Sequence, residues 1–192
     1  IYGSSGNDIL SGSTAWSPNN DSASERQDAA NRSGNDTDDN LYGGAGDDVL
    51  IGTIGDNILD GGTGADVIYS GSGSDTIVLR TGDGSTTLAN GDVVADFSDG
   101  SDVLGMASVN FDDLTIAQGS GSYASHTLIS ITSSGEYLVI LQNITASNIT
   151  ALDFASTSTS SQTLSGTSGN NTLIGGAGND TLTTGMGNDT LL

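Results

Sequence analysis

Nearly half of this chain repeats itself every nine residues with an acid or amide and an aliphatic side chain in fixed register. The copies are GSSGNDILS (3–11), GGAGDDVLI (43–51), GTIGDNILD (52–60), GGTGADVIY (61–69) and SGSGSDTIV (70–78). The series restarts near the other end with GTSGNNTLI (166–174), GGAGNDTLT (175–183) and TGMGNDTLL (184–192). Each has Asp or Asn at position six and Leu or Ile at position eight. One more copy is split: it opens at Gly12 and Ser13 and closes with DDNLY (38–42), after an insertion at about residues 15–37. A short fixed period of this kind is the signature of stacked coils, in which each repeat is stable only against its neighbours. A flexible Gly/Asn/Asp-rich linker has no reason to keep an aliphatic side chain in phase with an Asp.

The order of residues within the repeat carries chemistry. Glycines let a turn visit positive φ and bring backbone carbonyls close together. The Asp at position six adds a carboxylate to those carbonyls, and an all-oxygen set suits a hard cation such as calcium. Positions six to nine are expected to form a short strand whose position-eight side chain points inward.

Composition agrees. The chain has 24 acidic and 3 basic side chains and a formal charge of -21. That charge repels nucleic acid and anionic membrane surfaces and attracts cations. Only Arg26, Arg32 and Arg80 are cationic, so a compact fold needs another source of positive charge. There is no cysteine for a disulfide or thiolate site. No stretch reads as a membrane-spanning helix, and the start is not a signal peptide. With no initiator methionine, the chain reads as a mature piece or an excised part of something longer.

The repeat resembles the RTX (repeats-in-toxin) family, whose nonapeptide is G-G-x-G-x-D-x-U-x. The resemblance implies an all-β fold: a parallel β-roll in two blocks, 1–78 and 162–192, flanking a mainly β middle module, 79–161. Two nonapeptides make one coil, and loops on the same side hold Ca2+ between them. The implied ligands are Asp8, Asp39, Asp48, Asp66, Asp75, Asp180 and Asp189. Carbonyls come from turns that contain Gly3, Gly6, Gly43, Gly46, Gly61, Gly64, Gly73, Gly175, Gly178 and Gly187. Asn57 and Asn171 stand where Asp is expected; an amide oxygen can ligate without bringing charge, and Asp56 beside Asn57 can compensate. Pairing of same-side loops implies about five complete sites.

Residues 75–106 are similar to the flank that often follows RTX repeats, with Asp83, Asp96 and Asp102 at positions that can hold a further ion. Residues 126–144 alternate around a turn at Ser133 to Gly135 and read as a hairpin. Residues 145–154 look like a short closing segment, and the Ser/Thr run 155–163 reads as a linker or extended edge. The middle module is expected to pack on the roll as a lid. The insertion holds Trp16, Arg26 and Arg32, and reads as a solvated loop or as a contact element toward an acidic neighbour.

No catalytic constellation emerges. His126 is the lone histidine and has no nucleophile motif beside it. Asp112 and Asp113, if on a strand, point to opposite faces, and they read better as caps of a turn after Phe111. The outward residues Ile9, Val49, Ile51, Val67 and Tyr69 form an apolar stripe, to be covered by the middle module or by a neighbour in a bundle. Three threonines, Thr172, Thr181 and Thr190, are too few to make an adhesive or ice-binding face. Both roll ends lack an atypical capping repeat, which points to head-to-tail stacking of identical chains. The expected function is a secreted, non-enzymatic, calcium-ordered scaffold of the cell exterior that self-assembles into a filament, matrix or surface layer. It has no nucleic-acid partner and does not insert into membranes. The alternative is the C-terminal folding and secretion module of an RTX exoenzyme or toxin. Both imply type I secretion.

Overall fold

The computed structural model describes residues 1–3, 5–12 and 38–192, so the readings of Trp16, Arg26 and Arg32 lie outside the described residues. Among the described residues there is no helix long and apolar enough to cross a membrane. The elements are strands joined by turns and 3-10 segments. In chain order the strands of the main body are β1 (Ile9–Ser11), β2 (Asn40–Ala45), β3 (Val49–Ile51), β4 (Ile58–Thr63), β5 (Val67–Tyr69) and β6 (Thr76–Arg80). These are followed by β7 (Val93–Val94), β8 (Val103–Ala107), β9 (Leu114–Gln118), β10 (Thr127–Ile131), β11 (Tyr137–Leu141) and β12 (Phe154–Ser156). They form two sheets, ordered β1-β3-β5-β7-β11-β10-β9 and β12-β8-β6-β4-β2.

Successive repeats alternate between these sheets, so two nonapeptides make each coil. Neighbours are parallel and one coil apart: Val49 lies beside Val67 and Leu59 beside Ile77. The split repeat keeps this register, with Leu10 beside Leu50 and Leu41 beside Leu59 despite the insertion. Inward-pointing position eight builds the core. Leu10, Leu41, Leu50, Leu59, Ile68 and Ile77 are all buried, each at most 2% exposed. Full burial of each such side chain stabilises the roll by about 1.5–3 kcal/mol.

The sheets do not end with the nonapeptides. In place of a lid, residues 79–156 extend the roll. β7 pairs with β5 and β8 with β6, both parallel, and β11 and β12 add the next strand to either sheet. A parallel strand needs only to arrive in register, so the wider turns after β5 and β6 are tolerated. Val94, Leu104, Val139, Leu141 and Phe154 continue the buried file. The hairpin forms as read, β10 antiparallel to β11 with Gly135 at φ 71°, and β9 joins its far side. Arg80, at the end of β6, clamps this extension: its guanidinium forks onto Asp60 at 3.2 and 2.8 Å and reaches Asp83 at 2.8 Å.

The Ser/Thr run is more than a linker. Ala155 and Ser156 belong to β12, and from Thr157 the chain forms a degenerate repeat with Gln162 at position six and Leu164 at position eight. It makes β13 (Thr163–Ser165), which pairs in parallel with β15 (Thr181–Thr183). Across from them β14 (Thr172–Leu173) pairs with β16 (Thr190–Leu191). Backbone pairing and the core leucine suffice here without the glycines. This second roll is less closed: Leu164, Leu173 and Leu182 are half-buried and Leu191 is 51% exposed. Asp112 fastens it to the middle segment by accepting from Asn171 Nδ2 at 2.7 Å and Thr172 N at 3.0 Å. Asp112 and Asp113 lie in a 3-10 turn, Phe111–Asp113, and not on a strand.

The apolar stripe is covered only in part, for Ile9 is 75% and Tyr69 42% exposed while Val49, Ile51 and Val67 are half-buried. Thr53 is a local departure: it holds φ 76° where Gly44, Gly62 and Gly71 serve in neighbouring turns, and its buried Oγ1 has no partner. Left-handed backbone strain is on the order of 1–2 kcal/mol per residue, and glycine returns part of it as unfolded-chain entropy. Thr53→Gly should therefore stabilise the calcium-loaded chain by about 1 kcal/mol, read as a higher midpoint in urea unfolding.

Candidate metal sites

The position-six side chains stand at the mouth of each strand, just before the residues that enter the sheet, and stack coil over coil. On one side the backbone N–H of Asp8 donates to Asp48 Oδ1 at 2.7 Å, that of Asp48 to Asp66 Oδ1 at 2.8 Å, and that of Asp66 to Asp92 Oδ1 at 3.1 Å. On the other side Asp39 N donates to Asn57 Oδ1 at 2.8 Å, Asn57 N to Asp75 Oδ1 at 2.8 Å, and Asp75 N to Asp102 Oδ1 at 3.2 Å. The second roll repeats the pattern, with Gln162 N on Asp180 Oδ1 and Asn171 N on Asp189 Oδ1. An outer ladder at position five runs the opposite way: Asp47 N donates to Asn7 Oδ1 and Ala65 N to Asp47 Oδ1.

The inner ladder uses one oxygen of each carboxylate. The other oxygens of Asp48, Asp66 and Asp75 are buried without a hydrogen-bond partner. A buried carboxylate oxygen left unpaired is strongly unfavourable, so these three atoms mark positions for a cation. Their surroundings fit one. A Cβ built on Gly43 would stand under 3.0 Å from both Asp48 Oδ2 and the Gly61 carbonyl oxygen, and one on Gly61 equally close to Asp66 Oδ2. Gly3, Gly12 and Gly175 meet Oδ2 of Asp8, Asp39 and Asp180 in the same way. Carboxylate and carbonyl oxygens therefore converge where any side chain would intrude, an oxygen set for a hard cation. Among the described residues no three acidic or histidine side chains meet at one point, so backbone carbonyls must complete each site.

The electrostatics follow from burial of like charges. Burial pushes the Asp66 carboxyl up to about 6 and that of Asp92 up to about 8, and the neighbouring carboxylates add to both. Asp48 and Asp75 are also raised, first by burial. Asp83 is raised because burial outweighs the pull of Arg80, while the Asp60 hydrogen bond raises Arg80 itself.

The three flank aspartates separate. Asp102 joins the inner ladder, and its Oδ2 accepts from Ser98 N at 2.8 Å and Ser70 Oγ at 3.0 Å. Asp96 accepts from Ser70 N at 2.8 Å and Gly71 N at 3.2 Å. Asp83 pairs with Arg80. Gly6, Gly46, Gly64, Gly73, Gly178 and Gly187 occupy the stacked turns at positive φ. Asp92 escaped the sequence reading, although Asp-Val-Val at 92–94 carries the same acid and aliphatic spacing as a repeat. The Arg80 clamp and Glu136, whose Oε1 accepts from Gly82 N at 2.7 Å and Gly84 N at 3.2 Å, escaped it too. His126 has a structural role, its Nδ1 accepting from Asn143 N at 3.1 Å. A cleft of about 570 Å³ between residues 106–113 and the second roll holds none of the orphan carboxylates.

Comparison with known families settles what the ladders belong to. The model of the RTX calcium-binding nonapeptide repeat matches four times, at residues 1–14, 33–66, 51–85 and 157–191, more than half of the chain. The chain belongs to the RTX calcium-binding repeat family. Its last match starts at residue 157, where the degenerate repeat begins. Calcium is thus the cation of this RTX roll. Among solved structures the RTX chain is similar to the AlgE6R3 subunit of the Azotobacter vinelandii mannuronan C5-epimerase, 26% identical over 64% of this chain and 80% of that one, with a TM-score of 0.44. No curated protein sequence matches it.

Proposed function

We propose that this RTX chain is a secreted, calcium-ordered structural protein whose rolls stack end on end outside the cell, without catalytic activity. The ligands are the position-six carboxylates with the carbonyls of the glycine turns, Asp8, Asp48 and Asp66 on one side and Asp39 and Asp75 on the other, with Asp180 and Asp189 in the second roll. Export through a type I route as an unfolded chain fits a fold whose buried acids need extracellular calcium.

The observation that supports the stacking is the coil-on-coil ladder itself, in which each coil meets the next through parallel strands and a carboxylate that accepts a backbone N–H, a contact that a second copy can extend. β1 forms the edge of its sheet and offers a parallel partner of the same coil geometry, whereas the outer side of β2 is already paired with the first residues of the chain, Tyr42 N donating to Ile1 O and Gly3 N to Tyr42 O. A contact between unlike edges propagates as a filament unless its rotation closes a ring, and stacking along the roll axis closes none. Sedimentation and electron microscopy of the chain in millimolar calcium are expected to show filaments that dissolve in chelator. A monodisperse monomer in calcium would overturn the stacking and favour the other reading, a folding and secretion module of a larger RTX exoprotein.

A further inference from the structure

We infer that the Asn57 turn is held shut by its own side-chain amide and takes no calcium, so the second ladder contains a metal-free joint. The inference rests on the calcium reading of the neighbouring turns.

At Asp48 and Asp66 the carboxylate has two tasks: Oδ1 accepts the N–H of the preceding coil, and Oδ2 faces the first glycine of its own repeat, Gly43 and Gly61. Oδ2 of Asp8 and of Asp39 faces Gly3 and Gly12 in the same way. An amide has one oxygen and cannot do both. At Asn57 the oxygen is taken by Asp39 N at 2.8 Å. The atom that faces Gly52 is accordingly Nδ2. It donates to the Gly55 carbonyl at 3.0 Å and to Asp75 Oδ1 at 2.9 Å. Reversing the amide would set Nδ2 against the Asp39 N–H, donor against donor, in a site where Asn57 is 1% exposed. A nitrogen that carries two protons and points at the carbonyls excludes a cation there. The sequence-based expectation that Asn57 ligates through its oxygen is replaced by this arrangement.

Asn171 is the internal contrast. Among the described residues its oxygen accepts within its own turn, Oδ1 from Thr167 N at 2.7 Å, and faces Gly166, while Nδ2 leaves toward Asp112. The same residue type therefore presents nitrogen in one turn and oxygen in the other, and the difference is set by the ladder.

The test is the calcium stoichiometry of the full chain, by native mass spectrometry and titration calorimetry. Asn57→Asp should bind one calcium more than the parent, and Asn171→Asp should bind the same number more tightly. An unchanged count in Asn57→Asp, or an equal gain in Asn171→Asp, overturns the inference. Absence of calcium from the parent chain overturns the calcium reading itself. Should Asn57→Asp not fold, side-chain amide exchange in the calcium-loaded parent decides: slow exchange of the Asn57 amide protons supports the closed turn, and fast exchange refutes it.

Discussion

Chelation at neutral pH is expected to abolish the β signal of the main roll, and acidification to about pH 4 in the same chelator to restore much of it. The inner ladder stacks Asp8, Asp48, Asp66 and Asp92 at successive strand spacings of about 4.8 Å, and Arg80, the arginine among the described residues, is engaged with Asp60 and Asp83 instead. Burial holds the folded-state pKa of Asp66 at about 6 and of Asp92 at about 8, both above the ordinary carboxyl value of 3.8. Raised values mean that the fold binds these protons more tightly than the unfolded chain does. Their favourable contribution is complete below pH 3.8 and is lost as pH rises through 6 and then 8. Each pKa unit corresponds to about 1.4 kcal/mol, so these two groups bear on a stability that for small domains is about 5–15 kcal/mol. With calcium the dependence reverses, because a ligating carboxylate must be ionised and acid expels the metal. Far-UV circular dichroism from pH 4 to 8, with and without calcium, reads both arms. A β signal at pH 8 that ignores the chelator would contradict the account.

Gly64→Ala should prevent calcium-dependent folding at any practical calcium concentration, whereas Gly100→Ala should leave a folded, slightly weakened chain. Both glycines have positive φ, 149° and 82°. At Gly100 a Cβ meets nothing within 4 Å, so only backbone strain of about 1–2 kcal/mol applies. At Gly64 the Cβ would collide with the Gly46 carbonyl, a rigid backbone atom of the coil below. Relief requires the two turns to separate, which disperses the oxygens around Asp48 and Asp66 together. Ellipticity during a calcium titration distinguishes the two variants, and normal folding of Gly64→Ala would show that the turns are not packed as described.

The nine-residue register made the main roll legible, because one side chain per repeat faces inward and one carboxylate per repeat faces the turn. Leu10, Leu41 and Asp39 could be placed across a long insertion by that rule alone. Where pairing is carried by the backbone, the sequence says less. Gln162 and Leu164 occupy repeat positions without a glycine in the turn, and Asp92 follows a turn of a different length. Asn57 shows another limit. Residue type announces an amide, but which of its atoms faces the turn depends on an N–H from a different coil.

The second coil position closes even though the chain departs after Gly12 and returns at Asp38. A Cβ on Gly12 would meet Asp39 Oδ2 as closely as if the two halves were contiguous. The winding is thus set by where the chain leaves at Gly12 and re-enters at Asp38, and not by the distance in sequence between the two.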